Sequence, residues 1–340
     1  MAVSFSDIAD RLPSTTAFVE VAPGGGHALV VGGLSVLERA LWGLSRAGVH
    51  HAIVAAEPLP LRPDLKLQVE WVAPGSAPPA DVKVVRGDEV QGQRVVDEAS
   101  RRAVERALCR TLAKSHQGLI DGWVNWRFSS PITRMLSYTP VMPNQITLIG
   151  SLAGLLAAGL VLRGSWAAVA VAGLLLQLHS ILDSCDGEMA RLRFQGSRLG
   201  QWLDSISDDI VDMVFLACAG LSLGGNYATL AVVTTLLRAW AHLNTYYEVY
   251  RRTGTGDLYS FRIWFEKETQ AVDEVYTVRG VGGYLRALGR RDTYVFVWML
   301  LCLFGQLEAV VVYGVGLSLV IGALSALHLT FRQPLPPRRP

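Results

Sequence analysis

From residue 135 onward the charged residues retreat into clusters and leave long uncharged runs. No Asp, Glu, Lys or Arg lies between Arg134 and Arg163, between Arg163 and Asp183, or between Asp212 and Arg238. The same holds between Arg238 and Glu248, between Asp292 and Glu308, and between Glu308 and Arg332. A helix that spans the hydrocarbon layer needs about 20 mostly apolar residues. The runs predict six spans, near 145–162, 166–184, 204–223, 227–248, 292–306 and 309–331. Only the turn Gly224-Gly225-Asn226 parts the third from the fourth.

Residues 1–134 are mixed in character and rich in charge. The chain average, 51% hydrophobic and 18% charged over 340 residues, therefore blends two unlike parts. A soluble domain carries about 25% charge. With a net charge of +2 and no dominant basic block, a nucleic-acid partner is not expected.

Loop arginines orient the spans. The connection after the second span carries Arg191, Arg193 and Arg198, and the one after the fourth carries eight basic residues between Arg251 and Arg291. The tail adds Arg332, Arg338 and Arg339, whereas the other three connections offer Arg163, no charge, and Glu308. Positive charge stays on the cytoplasmic side. Both termini and the two long loops are therefore expected in the cytoplasm, on a multi-pass protein of the inner (plasma) membrane. Met1–Asp10 lacks the basic start and apolar run of a cleavable leader. The four cysteines, Cys109, Cys185, Cys218 and Cys302, show neither zinc spacing nor a disulfide framework.

Between residues 17 and 115, strand-like and helix-like stretches alternate, which predicts a small α/β layer domain. Strands are expected at Ala28–Gly32, His51–Ala56, Leu67–Val72 and Val82–Val85, and helices at Ser35–Ala47 and Val96–Ala113. The stretch from Gly32 to Ala55 resembles the early βα unit of sugar-phosphate nucleotidyltransferases. The only Gly-rich candidate loop, Pro23-Gly-Gly-Gly-His27, lacks the basic residue such enzymes use and precedes the Ala28 run. The domain is also about half the usual length. We therefore expect a truncated, non-catalytic relic used for packing or assembly.

The chemistry sits between the second and third spans. That stretch reads Asp183-Ser-Cys-Asp186-Gly187-Glu-Met-Ala190-Arg191, eight residues, then Gly200-Gln-Trp-Leu-Asp204-Ser-Ile-Ser-Asp208. Asp183 and Asp186 share one helix face, and Asp204 and Asp208 share another. Two antiparallel helix ends joined by a loop of roughly a dozen residues would bring the four carboxylates together at the membrane edge. Carboxylates at such depth are paired or functional. Hard oxygen donors suit magnesium or manganese, and two such ions would neutralise a bridging diphosphate. Gly187 and Gly200 permit close approach of a ligand or backbone, and Arg191 offers a forked phosphate donor.

The pattern D-x-x-D-G-x-x-A-R, eight residues, G-x-x-x-D-x-x-x-D resembles the signature of the CDP-alcohol phosphotransferases, and every fixed position matches. Thr139-Pro-Val-Met-Pro143-Asn144-Gln-Ile-Thr147 is similar to that family's entry to the first span, and Arg290-Arg-Asp292 precedes the fifth. The resemblance covers roughly 115–331. It is nearest to the branch linked to inositol-phosphate cytidylyltransferase domains, the di-myo-inositol phosphate phosphate synthases. The resemblance implies transfer of a phospho-alcohol, such as phosphatidyl or phosphoinositol, from a CDP-alcohol to a hydroxyl acceptor, with release of CMP. It implies Asp183, Asp186 and Asp204 as ligands of two divalent cations (magnesium or manganese). Asp208 would be the general base and lie beside the second ion. Gly187, Ala190, Arg191 and Gly200 would line the CDP-alcohol site. Inositol phosphate is one acceptor it allows, and a homodimer is expected.

Other residues have plainer roles to weigh. Asn144 and Thr147 either cap the first span or touch the diphosphate. Arg238, inside the fourth span, contacts either acceptor phosphate or a buried Asp. Arg134 and Arg198 flank the expected cavity, as acceptor contacts or as anchors to membrane lipids. His179 and His242 are expected as hydrogen-bonded core histidines. Asp209 stands where relatives often carry a basic residue, and it or Asp212 either acts on Asp208 by like-charge repulsion or is a helix-end carboxylate paired with an arginine. The 250–291 loop, with Tyr259, Phe261, Trp264 and Phe265, suggests an interfacial segment or a lid.

The expected fold is thus an α-helical integral membrane protein with six transmembrane helices behind a small α/β cytoplasmic domain. That domain would occupy 1–115, a juxtamembrane amphipathic segment 116–144, the membrane domain 145–331 and a Pro/Arg-rich tail 332–340. Two competing functions are a catalytically inactive membrane scaffold and a divalent-cation transporter. A transporter would place its acids near mid-membrane, whereas these cluster at the cytoplasmic edge.

Overall fold

A computed structural model of the chain describes residues 16–112, 118, 120–254, 256, 258, 261, 264 and 287–332. Two compact units emerge. The first runs to Leu112 and takes in Ser137–Thr139 and Leu192–Phe194; the second holds the rest.

In the first unit the strands are β1 (Thr16–Glu20), β2 (Val30–Val31), β3 (Leu34–Ser35), β4 (His51–Ala55), β5 (Gln68–Val72), β6 (Lys83–Arg86), β7 (Glu89–Val90) and β8 (Gln93–Arg94). Four of them form a parallel sheet in the order β5-β4-β1-β6. Helix α1 (Val36–Arg46) lays Leu37, Leu41 and Leu44 against Ala17, Val19, Ala52 and Val54 of that sheet. Ser35 caps α1 by accepting from the Glu38 N–H at 3.1 Å. Helix α2 (Glu98–Thr111) starts from a reciprocal cap, in which Ser100 N–H donates to Asp97 Oδ1 and Asp97 N–H donates to Ser100 Oγ.

Two expectations need correction here. The central strand is Thr16–Glu20, which the hydropathy pattern did not single out. The Ala28–Gly32 run supplies only β2, paired with β3 in a two-stranded hairpin. The Gly-rich 23–27 loop therefore follows a strand of the main sheet. Two of its amides are taken within the unit, however: Gly25 N–H donates to Ala22 O and Gly26 N–H to Val95 O.

The β2–β3 turn is Gly32-Gly33, both with positive φ (56° and 80°), as a tight hairpin of this hand requires. Arg39, 4% exposed, donates from Nη1 to Leu192 O at 2.7 Å and from Nη2 to Val31 O at 2.6 Å. Burial lowers its pKa to about 10.

The second unit is helical. After a π-helical turn at Asp121–Asn125 come α3 (Trp126–Leu136), α4 (Pro143–Val161), α5 (Trp166–Leu192), α6 (Arg198–Leu223), α7 (Gly225–Thr253), α8 (Arg291–Leu303) and α9 (Leu307–Phe331). Its core joins Ala157, Ala158, Leu176, Phe215, Leu216, Trp298 and Val310. Phe215 and Trp298 stack at 5.7 Å. Gly154 lets α4 come close, since a Cβ there would lie 2.3 Å from Val211 Cγ1.

Among the described residues three helices, α4, α5 and α9, are long and apolar enough to cross a membrane. Helix α8 has 13 residues, too few by that criterion. Helix α6 carries Asp204, Asp208, Asp209 and Asp212, and α7 carries Arg238 and Glu248, so six apolar spans are not what length and composition alone yield. Apolar side chains nevertheless point outward along α4, at Leu148, Ile149, Leu152 and Leu156.

Helix α5 runs 27 residues, or about 40 Å at 1.5 Å per residue. It is thus longer than a hydrocarbon layer of about 30 Å is thick. The expected dozen-residue loop between the motif halves is short: only residues 193–197 separate α5 from α6. Glu188, Met189, Ala190, Arg191 and Leu192 are good helix formers, so hydropathy drops there without ending the helix.

Helix α3 is held by polar groups. Ser129 and Thr133 donate to the two oxygens of buried Glu188 at 2.6 and 2.7 Å. Asn125, fully buried, donates to Ser180 Oγ and accepts from Gln177 Nε2. Asp292 accepts from the Ile120 and Asp121 amides ahead of the π turn. The expectations for the start of the chain, for most of the 250–291 loop and for the tail beyond Arg332 lie outside the described residues.

Candidate active site

Helices α5 and α6 bring the motif carboxylates together. Asp183 and Asp186, three apart on α5, meet Asp204 from α6, with one oxygen from each within 4.8 Å of the others. Asp208 lies one turn further along α6. Its Oδ2 is 2.8 Å from Arg291 Nη1, and its Oδ1 is 3.4 Å from His179 Nε2.

Arg291 links several acids. Nη1 also approaches Asp183 Oδ2 at 3.2 Å, and Nε donates to Asp212 Oδ2 at 3.1 Å. Asp212, fully buried, accepts from Tyr294 O–H at 2.6 Å as well. The sequence placed Arg291 in a loop and gave it no site role. It lies 83 residues beyond Asp208 (291 − 208), and only the fold brings the two together.

Thr147, read from sequence as a cap or a ligand contact, is buried on α4 and donates its hydroxyl to Asp186. The α4 start is capped instead by Gln145, whose Oε1 accepts from the Met142 N–H at 2.9 Å, with Pro143 at the first helical position. Asn144 approaches Gly200: a Cβ on Gly200 would sit 2.9 Å from Asn144 Oδ1. Gly187, Ala190 and Arg191 are half-buried on the last turns of α5.

The arginines differ in setting. Arg238 is 1% exposed and donates from Nη2 to Tyr294 O–H and from Nε to His242 Nε2. It also lies 3.9 Å from Asp212, a buried Asp partner of the kind expected. Arg134 is half-buried, whereas Arg198 is exposed at the start of α6. Asp209 turns away from the cluster, toward His242 Nδ1 at 2.9 Å and the Tyr246 hydroxyl. His242 thus bridges Arg238 and Asp209, accepting on Nε2 and donating from Nδ1.

The donor set fits divalent cations. It is all carboxylate oxygen, the chemistry that suits magnesium and manganese. Asp204 Oδ1 and Asp208 Oδ1 are buried and lack a hydrogen-bond partner, a costly state that a bound cation relieves.

Comparison with known proteins agrees with this geometry. A profile of the CDP-alcohol phosphatidyltransferase family matches residues 140–321, more than half of the chain. The chain is 36% identical over 135 residues to the bifunctional IPC transferase and DIPP synthase of Archaeoglobus fulgidus, covering 39% of this chain and 27% of that protein. To the protein of the same name from Aquifex aeolicus it is 28% identical over 227 residues, 66% of this chain and 48% of that one. The archaetidylinositol phosphate synthase of Pyrococcus horikoshii is 36% identical over 95 residues, 28% of this chain and 47% of that one. The chain thus matches less than half the length of each of these relatives. The matched profile and the convergent aspartates point the same way, and the chain belongs to the CDP-alcohol phosphatidyltransferase family.

Proposed function

We propose that this protein is a membrane phosphotransferase that moves a phospho-alcohol from a CDP-alcohol to a hydroxyl acceptor and releases CMP. The observation that carries this is the meeting of Asp183, Asp186 and Asp204 within 4.8 Å, with Asp208 beside them. Asp183, Asp186, Asp204 and Asp208 would hold two magnesium or manganese ions. Bound there, such ions neutralise the diphosphate and the charge that develops on the leaving group.

The protein's own residues do the rest. Arg291 engages Asp208 through Oδ2, which leaves Oδ1 without a hydrogen-bond partner. That oxygen takes the acceptor's hydroxyl proton. The acceptor oxygen then bonds to the phosphorus that carries the alcohol. The bond from this phosphorus to the bridging oxygen breaks, and CMP leaves with the electron pair. Asn144, Gly187, Ala190, Arg191 and Gly200 line the donor site, where Arg191 supplies a forked contact to phosphate. Thr147 acts through Asp186. Arg134 and Arg198 are the acceptor contacts, and Arg238 holds Tyr294 and Asp212.

The substrates we propose are CDP-inositol or CDP-diacylglycerol as donor, and inositol phosphate or an inositol-containing alcohol as acceptor. We place six helices, α4–α9, across the cytoplasmic membrane, with both termini and the site on the cytoplasmic side. The 1–115 region is a non-catalytic domain and the assembly a homodimer.

The deciding experiment uses the purified full-length protein in detergent with a panel of CDP-alcohols and acceptors. CMP release that needs both an acceptor and Mg2+ or Mn2+ is expected. No CMP from any pair, by protein that binds Mn2+, would leave the scaffold or transporter function instead.

A further inference from the structure

The motif's two halves are joined by residues 192–199, and three of these belong to the N-terminal α/β unit. Each of the three is held by a different kind of contact. The Leu192 side chain is fully buried among Val31, Val36, Val90, Val95 and Val104, and its carbonyl accepts from buried Arg39 at 2.7 Å. The carbonyl of Arg193 accepts from Arg62 Nη1 at 2.6 Å. The ring of Phe194 stacks on Trp42, 6.0 Å between centroids and 8° from parallel. Arg62 lies over the Trp42 ring at 4.6 Å and Arg46 over the Phe194 ring at 4.8 Å.

Phe194 has φ 55°, the left-handed region that a bulky aromatic residue rarely enters. Such a conformation persists only where surrounding contacts enforce it, and it gathers at functional positions. Glycine would adopt it freely, whereas here a phenylalanine holds it together with the Trp42 stack.

We propose that Arg39, Trp42 and Arg62 are positioning residues for the transferase. By fixing Leu192, Arg193 and Phe194 they set the separation of the α5 and α6 ends, and so the convergence of Asp183 and Asp186 with Asp204 and Asp208. The α/β unit then contributes to transfer without binding a substrate, through its hold on the motif spacer. This rests on the metal-dependent transfer proposed above.

The test measures Mn2+ affinity of the full-length protein in detergent by electron paramagnetic resonance, without substrates, alongside melting temperature and CMP release. Trp42→Ala and Phe194→Gly are compared with Trp42→Phe, which keeps a stacking ring. Both disruptive variants are expected to bind Mn2+ on the order of ten-fold more weakly, the size seen when groups supporting metal ligands are lost. Their kcat falls while KM for the donor changes less, and Trp42→Phe behaves like the wild type. Phe194→Gly also relieves the backbone, so its melting temperature is not lowered, which separates positioning from stability. Wild-type Mn2+ affinity and kcat in Trp42→Ala and Phe194→Gly would overturn the proposal. So would losses seen only where the melting temperature also drops. A wild-type protein that binds no Mn2+ would instead refute the metal-dependent transfer, and this inference with it.

Discussion

Arg291 Nη1 sits 2.8 Å from Asp208 Oδ2 and 3.2 Å from Asp183 Oδ2, so one guanidinium joins the last motif aspartate to the first. Removing one partner of a buried ion cluster costs about 3–5 kcal/mol. Arg291→Gln should lie at or below the low end, because the Arg291 side chain is 19% exposed. Saturating Mn2+ should recover part of the loss, since the cation neutralises the same carboxylates. Thermal melts in chelator and in Mn2+ check this; a variant that melts like the wild type in both refutes it.

Asp208→Asn keeps the side-chain shape but cannot take the acceptor's proton. CMP release should fall by about 10²–10⁴-fold, the usual contribution of a positioned base. Unchanged gel-filtration behaviour and circular dichroism would show the fold intact. Turnover close to wild type would remove Asp208 from the role given to it.

Thr147 donates to Asp186 from a buried position. Thr147→Val should weaken Mn2+ binding by about ten-fold, because the ligand loses the group that orients it. Thr147→Ser keeps the hydroxyl and should bind nearly as the parent does. Equal affinities for the valine and serine variants would show that the hydroxyl does not orient the ligand.

Glu188 accepts from both Ser129 and Thr133. Glu188→Gln can accept on only one of its two arms, and a hydrogen bond to a charged group contributes about 1.5–3 kcal/mol. The loss should appear first as faster amide exchange across 126–136, where α3 lies. Exchange rates there that match the wild type would show that the two hydroxyls do not hold the helix.

How far the fold could be read from sequence depended on the reach of each interaction. Helix α1 was legible because Ser35, the Leu37–Leu44 stripe and Gly48 are local signals. Strand β1 was not: Thr16–Glu20 is short, and its position between β4 and β6 depends on pairing with residues 35 and 66 positions away (Thr16↔His51, 51 − 16; Ala17↔Lys83, 83 − 17). The aspartate cluster was legible because spacings of three and four on two adjoining helices need only one turnaround. Arg291 and Tyr294 were given no site role, because nothing near them in sequence reports which helix they face. Thr147 was noticed, but its partner Asp186 lies 39 residues away (186 − 147) on another helix, which spacing near a helix start does not report.

The Gly32-Gly33 turn has a consequence for how this chain can change over generations. A Cβ on Gly33 would lie 2.0 Å from the Ser137 carbonyl oxygen, and one on Gly32 would lie 2.6 Å from Leu192 Cδ1. Drift at either codon would therefore be felt hundreds of bases downstream, in segments that flank the transfer motif. A side chain at either glycine is in this way excluded by residues far along the chain rather than by the hairpin alone.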